Sequence, residues 1–356
     1  MLPAQARKHN TMTVNQRIAA LRAAMKERQL DAYIIPSADP HQSEYMADHW
    51  KVLQWISGFT GSAGTVVVTS DHAGLWTDSR YFLQAATQLK GTCVKLHQLN
   101  VPHTPEHRQW LREKLPRGSR IGFDGRLFTV GQVRAMAKFF YEKNFLLNSA
   151  TDLIAGLWTN RPPLPRAPLF EHPVKYAGAG RPKKLKAVRE KMAGATHYLI
   201  STLDDTAWLF NLRGADVACN PVFYAYTIVG KKKAWLFVNK SKVPQKLMHK
   251  LNKDGIILKP YNSLNTFLNK LGKNSHILID KSSTSIQVYN AIEKEKIING
   301  SNITAPLKAV KNKKETALLR QTMVKDGTAL VRLFRWLENT LEKRPVPETE
   351  VAEKLI

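Results

Sequence analysis

The stretch W-I-S-G-F-T-G, from Trp55 to Gly61, has a diverged echo in W-L-F-N-L-R-G, from Trp208 to Gly214. Both copies carry an aromatic residue, a hydrophobe and a closing glycine at the same spacing. A short apolar run precedes each copy, and two hydrophobic runs that indicate a hairpin follow each. Self-similarity constrains a fold more than any single motif does. The spacing is too long for a solenoid, so the echo indicates two related α/β domains in tandem.

Each copy is predicted to form a sheet with helices packed on it, because helical and strand patterns alternate along both. In the first copy a capping box at Thr13–Gln16 opens a helix, and Val66–Thr69 and Leu75–Thr77 are predicted to pair as a hairpin. In the second copy the corresponding hairpin is predicted from Tyr224–Val229 and Ala234–Val238.

A linker is predicted between the copies, since five prolines between Asn160 and Pro173 exclude a helix or a central strand. We therefore expect three parts along the chain. The predicted division is a first domain at residues 1–160, a second at 161–305 with the linker at 161–175, and the start of a third at 306–356.

The third part is predicted to contain helices only. One long helical pattern runs from Asn312 to about Glu342, and a second helix opens near Glu348. Two helices without a sheet do not make a domain, and an amphipathic helix needs a cover for its apolar face. We therefore expect the body of this domain to be absent from the chain, and an apolar stripe that includes Leu330, Phe334 and Leu337 to be exposed.

The chain is strongly basic, with a formal net charge of +26. Residues 1–150 carry 19 Lys and Arg against 11 Asp and Glu, and the remaining residues carry 35 against 17. Such an excess can attract nucleic acid or anionic lipid. The basic residues rarely cluster with aromatic ones, however, and they match no nucleic-acid module. The favoured interpretation of the basic excess is scattered, solvated lysines, and we predict no specific nucleic-acid partner. A missing acidic partner segment is the alternative left open.

The cytoplasm is the expected compartment. Cys93 and Cys219 are the two cysteines, one in each predicted domain, so they give neither a disulfide framework nor a zinc site. The first ten residues lack an apolar core of signal-peptide length. No window approaches the ~20 continuous apolar residues of a membrane span, so we expect no membrane partner.

A metal site is one interpretation of the polar segment Asp39–Glu44, which places a carboxylate, an imidazole and a second carboxylate within six residues. Asp48 and His49 follow closely. A site would require three of these ligands to converge. The favoured interpretation is a polar loop whose side chains cap a neighbouring helix.

Other motifs are weaker. Asp204 and Asp205 are predicted to lie at a helix start, where the helix dipole favours carboxylates. Gly58, Gly61 and Gly64 resemble a phosphate-cradling loop, but a strand follows, so no helix N-terminus is available to hold a phosphate. The sequence contains no H-E-x-x-H, G-x-S-x-G or Walker motif.

Arg80 is the leading candidate for a ligand-binding residue. In W-T-D-S-R-Y-F, from Trp76 to Phe82, a strand ends and a helix begins, with Asp78 and Arg80 at the junction. Arg80 either pairs with Asp78, which is the usual arrangement, or projects to bind a carboxylate or carbonyl of a ligand.

These segments closely resemble cytosolic three-domain Xaa-Pro aminopeptidases, known as aminopeptidase P, over essentially the whole chain. The matching motifs are A-Y-I-I-P-S-A-D-P-H-Q-S-E-Y, S-G-F-T-G-S-A-G-T and L-W-T-D-S-R-Y-F-L-Q-A, then L-D-D-T-A-W-L-F-N-L-R-G-A-D-V-x-x-N-P-V-F, A-V-K-N-K-K-E and D-G-T-A-L-V-R-L-F-R-W-L-E.

The resemblance implies an α/β protein with two tandem creatinase N-terminal-like domains, followed by the opening helices of a truncated pita-bread domain. Enzymes of the family remove an N-terminal residue when proline comes next, so peptides with proline in second position are the implied partners. The X–Pro bond is a tertiary amide that general peptidases accept poorly. The resemblance also implies a homodimer when the protein is full length.

The family uses two divalent metal ions, typically manganese, held by two Asp, one His and two Glu of the pita-bread domain. Those motifs lie beyond Ile356. The resemblance therefore implies no catalytic residue and no metal ligand in this chain, which is expected to bind no metal and to be inactive alone. One functional position carries over, because the arginine of the W-T-D-x-R-Y motif, which contributes to substrate binding in the family, matches Arg80.

A second hypothesis is a non-catalytic peptide- or protein-binding module of the same fold, as in the large subunit of the FACT histone chaperone. The basic charge suits an acidic partner. An open reading frame beyond Ile356 that encodes the metal ligands favours the enzyme, whereas a natural stop codon favours the module or a decayed gene.

Overall fold

The computed structural model describes residues 12–150 and 152–355. The prediction that the N-terminus lacks a signal-peptide core concerns residues 1–10, which lie outside the described residues. The first helix begins as predicted at a capping box, in which the Thr13 hydroxyl accepts from the N–H of Gln16 and the Gln16 side chain accepts from the N–H of Thr13.

The first α/β unit alternates helices and strands from residue 14 to residue 148. Its elements are α1 (Val14–Glu27), β1 (Ala32–Pro36), α2 (Val52–Ser57), β2 (Thr65–Thr69), β3 (Ala73–Thr77), α3 (Phe82–Gln88), β4 (Lys95–Gln98), α4 (Glu106–Lys114), β5 (Arg120–Phe123), α5 (Val130–Phe139) and β6 (Leu146–Asn148).

The second unit repeats this alternation and adds a small two-stranded sheet. Its elements are β7 (Phe170–Glu171), α6 (Val174–Ala177), α7 (Arg181–Glu190), β8 (His197–Ile200), α8 (Leu203–Phe210), β9 (Leu212–Arg213), β10 (Ala225–Gly230), β11 (Ala234–Val238), α9 (Gln245–Lys253), β12 (Ile256–Pro260), α10 (Leu264–Asn269), β13 (Ile277–Ile279), α11 (Ile286–Asn290) and β14 (Ile297–Asn299).

The two six-stranded sheets have one topology. The strand order is β4-β3-β2-β1-β5-β6 in the first and β12-β11-β10-β8-β13-β14 in the second. In both, the central hairpin and its neighbour pair antiparallel, and the outer strands pair parallel. Trp55 lies in α2 and Trp208 in α8, the helices that follow the first strand of each sheet. The predicted duplication is therefore confirmed.

The sheets form because their central strands are apolar on both faces. β3 and β10 are buried along their whole length, which is typical of strands covered by helices on both sides. Ile34, Val67 and Leu236 have no exposed surface and lie in the largest apolar cluster, which extends through both units. Burial of this continuous core stabilises the two units together.

Backbone hydrogen bonds join the two units directly. The loop before α5 and the loop before α11 exchange four such bonds, and Thr129 and Ser285 form a bridge between them. The four bonds run from N–H to carbonyl: Val130 to Thr284 (3.0 Å), Gly131 to Lys281 (2.9 Å), Ile286 to Phe128 (2.9 Å) and Gln287 to Gly125 (3.1 Å).

The proline-rich linker also contacts the first unit, without helix or strand from residue 160 to residue 169. His49 Nδ1 lies 2.7 Å from the carbonyl oxygen of Pro162, and Arg161 Nε donates to the carbonyl of His49 at 2.7 Å. The guanidinium groups of Arg126 and Arg161 each lie 5.2 Å from the ring centroid of Trp50. Asp48 forms an ion pair with Lys51, and His49 contacts the linker.

The C-terminal segment is helical, as predicted. It contains α12 (Thr304–Ala309), α13 (Lys313–Leu341) and α14 (Glu348–Leu355), and Asn312 caps α13 with a capping box. Leu330 and Phe334 are exposed as expected, whereas Leu337 is half-buried. The helix α14 folds back against α13. In the part of the chain that the structure describes, no helix combines the length and apolar character needed to cross a membrane.

Candidate functional site

Arg80 and Asp78 form a bidentate ion pair at the carboxyl end of β3. Arg80 Nε donates to Oδ1 of Asp78 and Nη2 donates to Oδ2, both at 2.8 Å. The Arg80 N–H also donates to Oδ1 at 3.2 Å, so Asp78 caps the 3-10 turn Ser79–Tyr81. The hydrogen bonds from Arg80 lower the pKa of Asp78 and raise that of the guanidinium.

The pair leaves part of the Arg80 guanidinium available. Asp78 is buried, whereas the Arg80 side chain is 56% exposed and lies over the ring of Tyr81. Within the described residues, Nη1 of Arg80 has no hydrogen-bond partner. The two arrangements that the sequence left open are therefore compatible, because Asp78 fixes the orientation of the group while three of its five N–H donors make no hydrogen bond within the described residues.

A cleft of about 610 Å³ lies beside this pair, at the carboxyl ends of β1 and β3. We call it the first-sheet cleft. Its walls include Pro36, Ala38, Thr77, Asp78, Arg108 and Phe128. Ligands bind α/β sheets preferentially outside the carboxyl ends of strands. Asp78 lines this cleft, whereas Arg80 does not.

Asp39 joins the two units instead of capping a helix. Its Oδ1 accepts from the N–H groups of His41 (2.9 Å) and Ser43 (3.0 Å) within its own loop, and its Oδ2 accepts from the Tyr224 hydroxyl at 2.8 Å. That hydroxyl in turn accepts from the N–H of Ala47 at 3.1 Å. The predicted helix cap is therefore wrong, because the second unit provides a buried hydroxyl opposite the carboxylate.

His41 also connects the two units. We call the contacts of Asp39 and His41 with the second unit the joint. Its Nδ1 lies 2.6 Å from the carbonyl oxygen of Ser201, and its Nε2 lies 2.8 Å from the Tyr261 hydroxyl. Only Nδ1–H can donate to a carbonyl, so Nε2 accepts from the tyrosine. Burial lowers the pKa of His41 and keeps the ring neutral. Among the described residues, no hydrogen bond or ion pair links this group to Arg80.

The remaining sequence candidates have structural roles. Asp204 and Asp205 lie in the first turn of α8, as predicted, and both carboxylates pair with Lys308. Gly58 ends α2 with φ of 78°, in the left-handed region that glycine tolerates. Among residues 12–150 and 152–355, no group of three or more His, Cys, Asp or Glu side chains could hold a metal ion.

Sequence reasoning missed two features. Tyr224 and Tyr261 bind the Asp39 and His41 side chains across the two units. For Tyr224 the available signal was its place in an apolar run, since a buried hydroxyl needs a partner. Arg108 is the second feature, a cleft-lining arginine that has no acidic partner among the described residues. No motif surrounds it in the sequence.

Both units match a known domain family. The Creatinase/Prolidase N-terminal domain is matched over residues 17–157 and again over residues 160–315. The chain therefore contains two tandem creatinase/prolidase N-terminal domains and belongs to that family.

The chain is also similar to Xaa-Pro aminopeptidases over nearly its whole length. Xaa-Pro aminopeptidase 2 of Rattus norvegicus is 37% identical over 357 residues, which cover 97% of this chain and 52% of the relative. A probable Xaa-Pro aminopeptidase P of Coccidioides posadasii is also 37% identical, with coverage of 96% and 58%. The chain thus spans about half the length of the curated relatives it matches.

One solved structure is similar over the same extent. The X-prolyl aminopeptidase of Caenorhabditis elegans, described as a cytosolic enzyme with a di-nuclear active site, matches with a TM-score of 0.89 and 30% identity. The match covers 97% of this chain and 59% of that structure. The arrangement of both units and of the C-terminal helices therefore has a counterpart in a peptidase.

Proposed function

We propose that this chain is the N-terminal part of an Xaa-Pro aminopeptidase, which removes an N-terminal residue that precedes proline. The observation that carries the proposal is the match to the Caenorhabditis elegans enzyme over 97% of this chain. In this proposal residues 1–160 and 161–305 are the two non-catalytic domains, and residues 306–356 open the catalytic domain.

The metal centre is proposed to lie outside the described residues. The Caenorhabditis elegans enzyme is described as di-nuclear, whereas the described residues of this chain hold no cluster of three metal-ligating side chains. The residues present therefore do not fit a pair of metal ions, and we assign no catalytic step to them. Two divalent ions, with manganese as the proposed identity, belong to the catalytic domain.

Arg80 is proposed to contact the substrate. Two features support this role: its guanidinium is oriented by Asp78 through two nitrogens, and Nη1 has no partner within the described residues on a side chain that is 56% exposed. A guanidinium held in this way binds a carbonyl or carboxylate with little further loss of conformational entropy. Peptides with proline in second position are the proposed substrates.

We further propose a cytoplasmic location and a homodimer for the full-length protein. Cys93 and Cys219 are both exposed and unpaired, which suits a reducing compartment. Size-exclusion chromatography with light scattering on the full-length protein tests the dimer.

The proposal is tested by joining this chain, through α13, to the remaining part of the Caenorhabditis elegans enzyme. We expect the joined protein with manganese to cleave Gly-Pro-Leu and to leave Gly-Ala-Leu intact. The chain alone is expected to cleave neither peptide and to bind no manganese stoichiometrically in calorimetry. Cleavage of either peptide by the chain alone would contradict the proposal that catalysis belongs to the catalytic domain. Binding of Gly-Pro-Leu by a folded joined protein without cleavage would favour the binding-module hypothesis instead.

A further inference from the structure

Arg108 is a partly buried cation without a counter-ion. It lies in the first turn of α4 and lines the first-sheet cleft. Its Nε is buried and has no hydrogen-bond partner, and within the described residues its guanidinium makes neither a hydrogen bond nor an ion pair. Burial lowers the pKa of Arg108, and no neighbouring carboxylate offsets this effect. A desolvated charge without a partner costs free energy, so such an arrangement calls for an explanation.

Two carboxylates lie in the cleft lining or close to Arg108 in sequence, and both are engaged elsewhere. Asp78 is the one acidic residue among those lining the cleft, and Arg80 holds both of its oxygens. Glu106, two residues before Arg108, accepts from the N–H groups of Asn100 and Val101 and from the hydroxyl of Thr104. Neither carboxylate is left to neutralise the Arg108 guanidinium.

The start of α5, which also faces the cleft, offers no anion site of its own. The N–H groups of Val130 and Gly131 donate to carbonyls of the second unit, and the N–H of Gln132 donates to the Thr129 hydroxyl. His107 is buried, and burial lowers its pKa to about 3, so the ring is neutral at pH 7. The cleft therefore presents one unengaged guanidinium as its principal binding group.

The lining of the cleft also includes apolar residues, namely Trp76, Leu99, Leu127 and Phe128. A phosphate carries a charge of about −1.5 to −2 at pH 7 and is best matched by several cations, whereas a carboxylate carries one charge and fits one guanidinium fork. The combination of one guanidinium with these apolar lining residues suits a carboxylate attached to an apolar body.

We propose that the first-sheet cleft binds an organic carboxylate with an apolar body, and that Arg108 is the residue that binds the carboxylate. This inference does not depend on the aminopeptidase proposal, because the site lies wholly within the first unit. It concerns binding only and requires no catalytic domain.

Calorimetric titration of the chain with hippurate, an aromatic carboxylate, tests this inference. We expect one hippurate per chain, and at least about tenfold weaker binding of its neutral amide, because a charge-assisted hydrogen bond is lost. Inorganic phosphate is expected not to compete. Arg108→Gln is expected to weaken hippurate binding about tenfold or more, and Arg108→Lys to retain part of it. The matched control is Arg112→Gln, since Arg112 lies on the same helix but pairs with Glu142.

A melting curve separates a binding role from a structural one. Arg108→Gln removes an unpaired charge, so we expect the melting temperature to stay level or rise while affinity falls. Absence of hippurate binding, equal binding of the amide, or unchanged binding by Arg108→Gln would each overturn the proposal. A lowered melting temperature together with unchanged hippurate affinity would assign Arg108 to the fold.

Discussion

Gly61 and Gly214, the closing residues of the two echoed segments, lie where a side chain has no room. A Cβ on Gly61 would meet the rings of Phe59 and Tyr81, and a Cβ on Gly214 would lie 2.8 Å from the Cβ of Phe223. Both positions are therefore too closely packed for a side chain, and glycine fits them.

Gly214→Ala is expected to lower the free energy of unfolding by about 1–3 kcal/mol, because the overpacked loop must shift. The matched control is Gly272→Ala, since a Cβ on Gly272 would meet no atom within 4 Å. Urea denaturation of both variants measures the difference. Equal stability of the two variants would contradict the packing explanation.

His107 makes the free energy of unfolding fall as the pH falls. Its folded pKa is about 3, against about 6.5 in an unfolded chain. Below pH 6.5 the unfolded state binds a proton that the folded state does not, so the stability present at pH 7 is lost as the pH falls toward 3. One such proton changes the free energy of unfolding by about 1.4 kcal/mol per pH unit.

His107→Phe is therefore expected to flatten the decline of stability between pH 6 and pH 4 by about one proton. His72 and His97, whose pKa values burial also lowers, remain in both proteins and give a common background. Urea denaturation across this pH range measures the slope, and identical slopes for both proteins would count against a buried, neutral His107.

Among the elements, the joint between the two units depends on the Tyr224 hydroxyl. Tyr224→Phe leaves the Asp39 carboxylate without one donor and the Ala47 N–H without its acceptor. Unsatisfied buried groups cost about 1–3 kcal/mol, so we expect a loss of stability in this range. Tyr141→Phe is the control, because Tyr141 is 79% exposed. Indistinguishable denaturation midpoints would show that the joint contributes nothing measurable.

The elements themselves were largely predictable, whereas their junctions were not. The long helix α13 and the hairpin of β10 and β11 follow from local periodicity and turn residues, which act over a few positions. The contact of Asp39 with Tyr224 joins residues 185 positions apart. The local sequence around a buried polar residue does not distinguish it from one in an exposed loop. The helix-capping interpretation of Asp39 is wrong for this reason.

The candidate site was likewise predictable only where its contacts are local in sequence. Asp78 and Arg80 are two residues apart, so their pairing follows from local geometry at a strand end. The unpaired state of Arg108 depends instead on which partners Asp78 and Glu106 have found, and that is a property of the folded chain.

For the molecule as a whole, the apolar stripe of α13 is the largest departure from a self-contained fold. Met323, Val324, Val331 and Phe334 are all more than half exposed on this one helix. Exposed apolar patches of this kind mark association sites. We expect the chain alone to self-associate in a concentration-dependent way in sedimentation velocity.

Phe334→Glu is expected to weaken this association, because a charge interrupts the stripe. Leu83→Glu serves as the control, since Leu83 is 87% exposed on α3, outside the stripe. A chain that stays monomeric at high concentration, or an equal effect of both substitutions, would contradict association through α13.

The central claim is that these two domains present a substrate-facing arginine to a catalytic domain. The most direct measurement is kcat/KM for Gly-Pro-Leu in the joined protein, with Arg80→Ala compared with Arg112→Ala and a melting curve for each variant. We expect Arg80→Ala to lower kcat/KM about ten- to a hundredfold at an unchanged melting temperature, because a charge-assisted hydrogen bond to the substrate is lost. An unchanged kcat/KM with a lowered melting temperature would contradict the central claim, because Arg80 would then serve only its pair with Asp78.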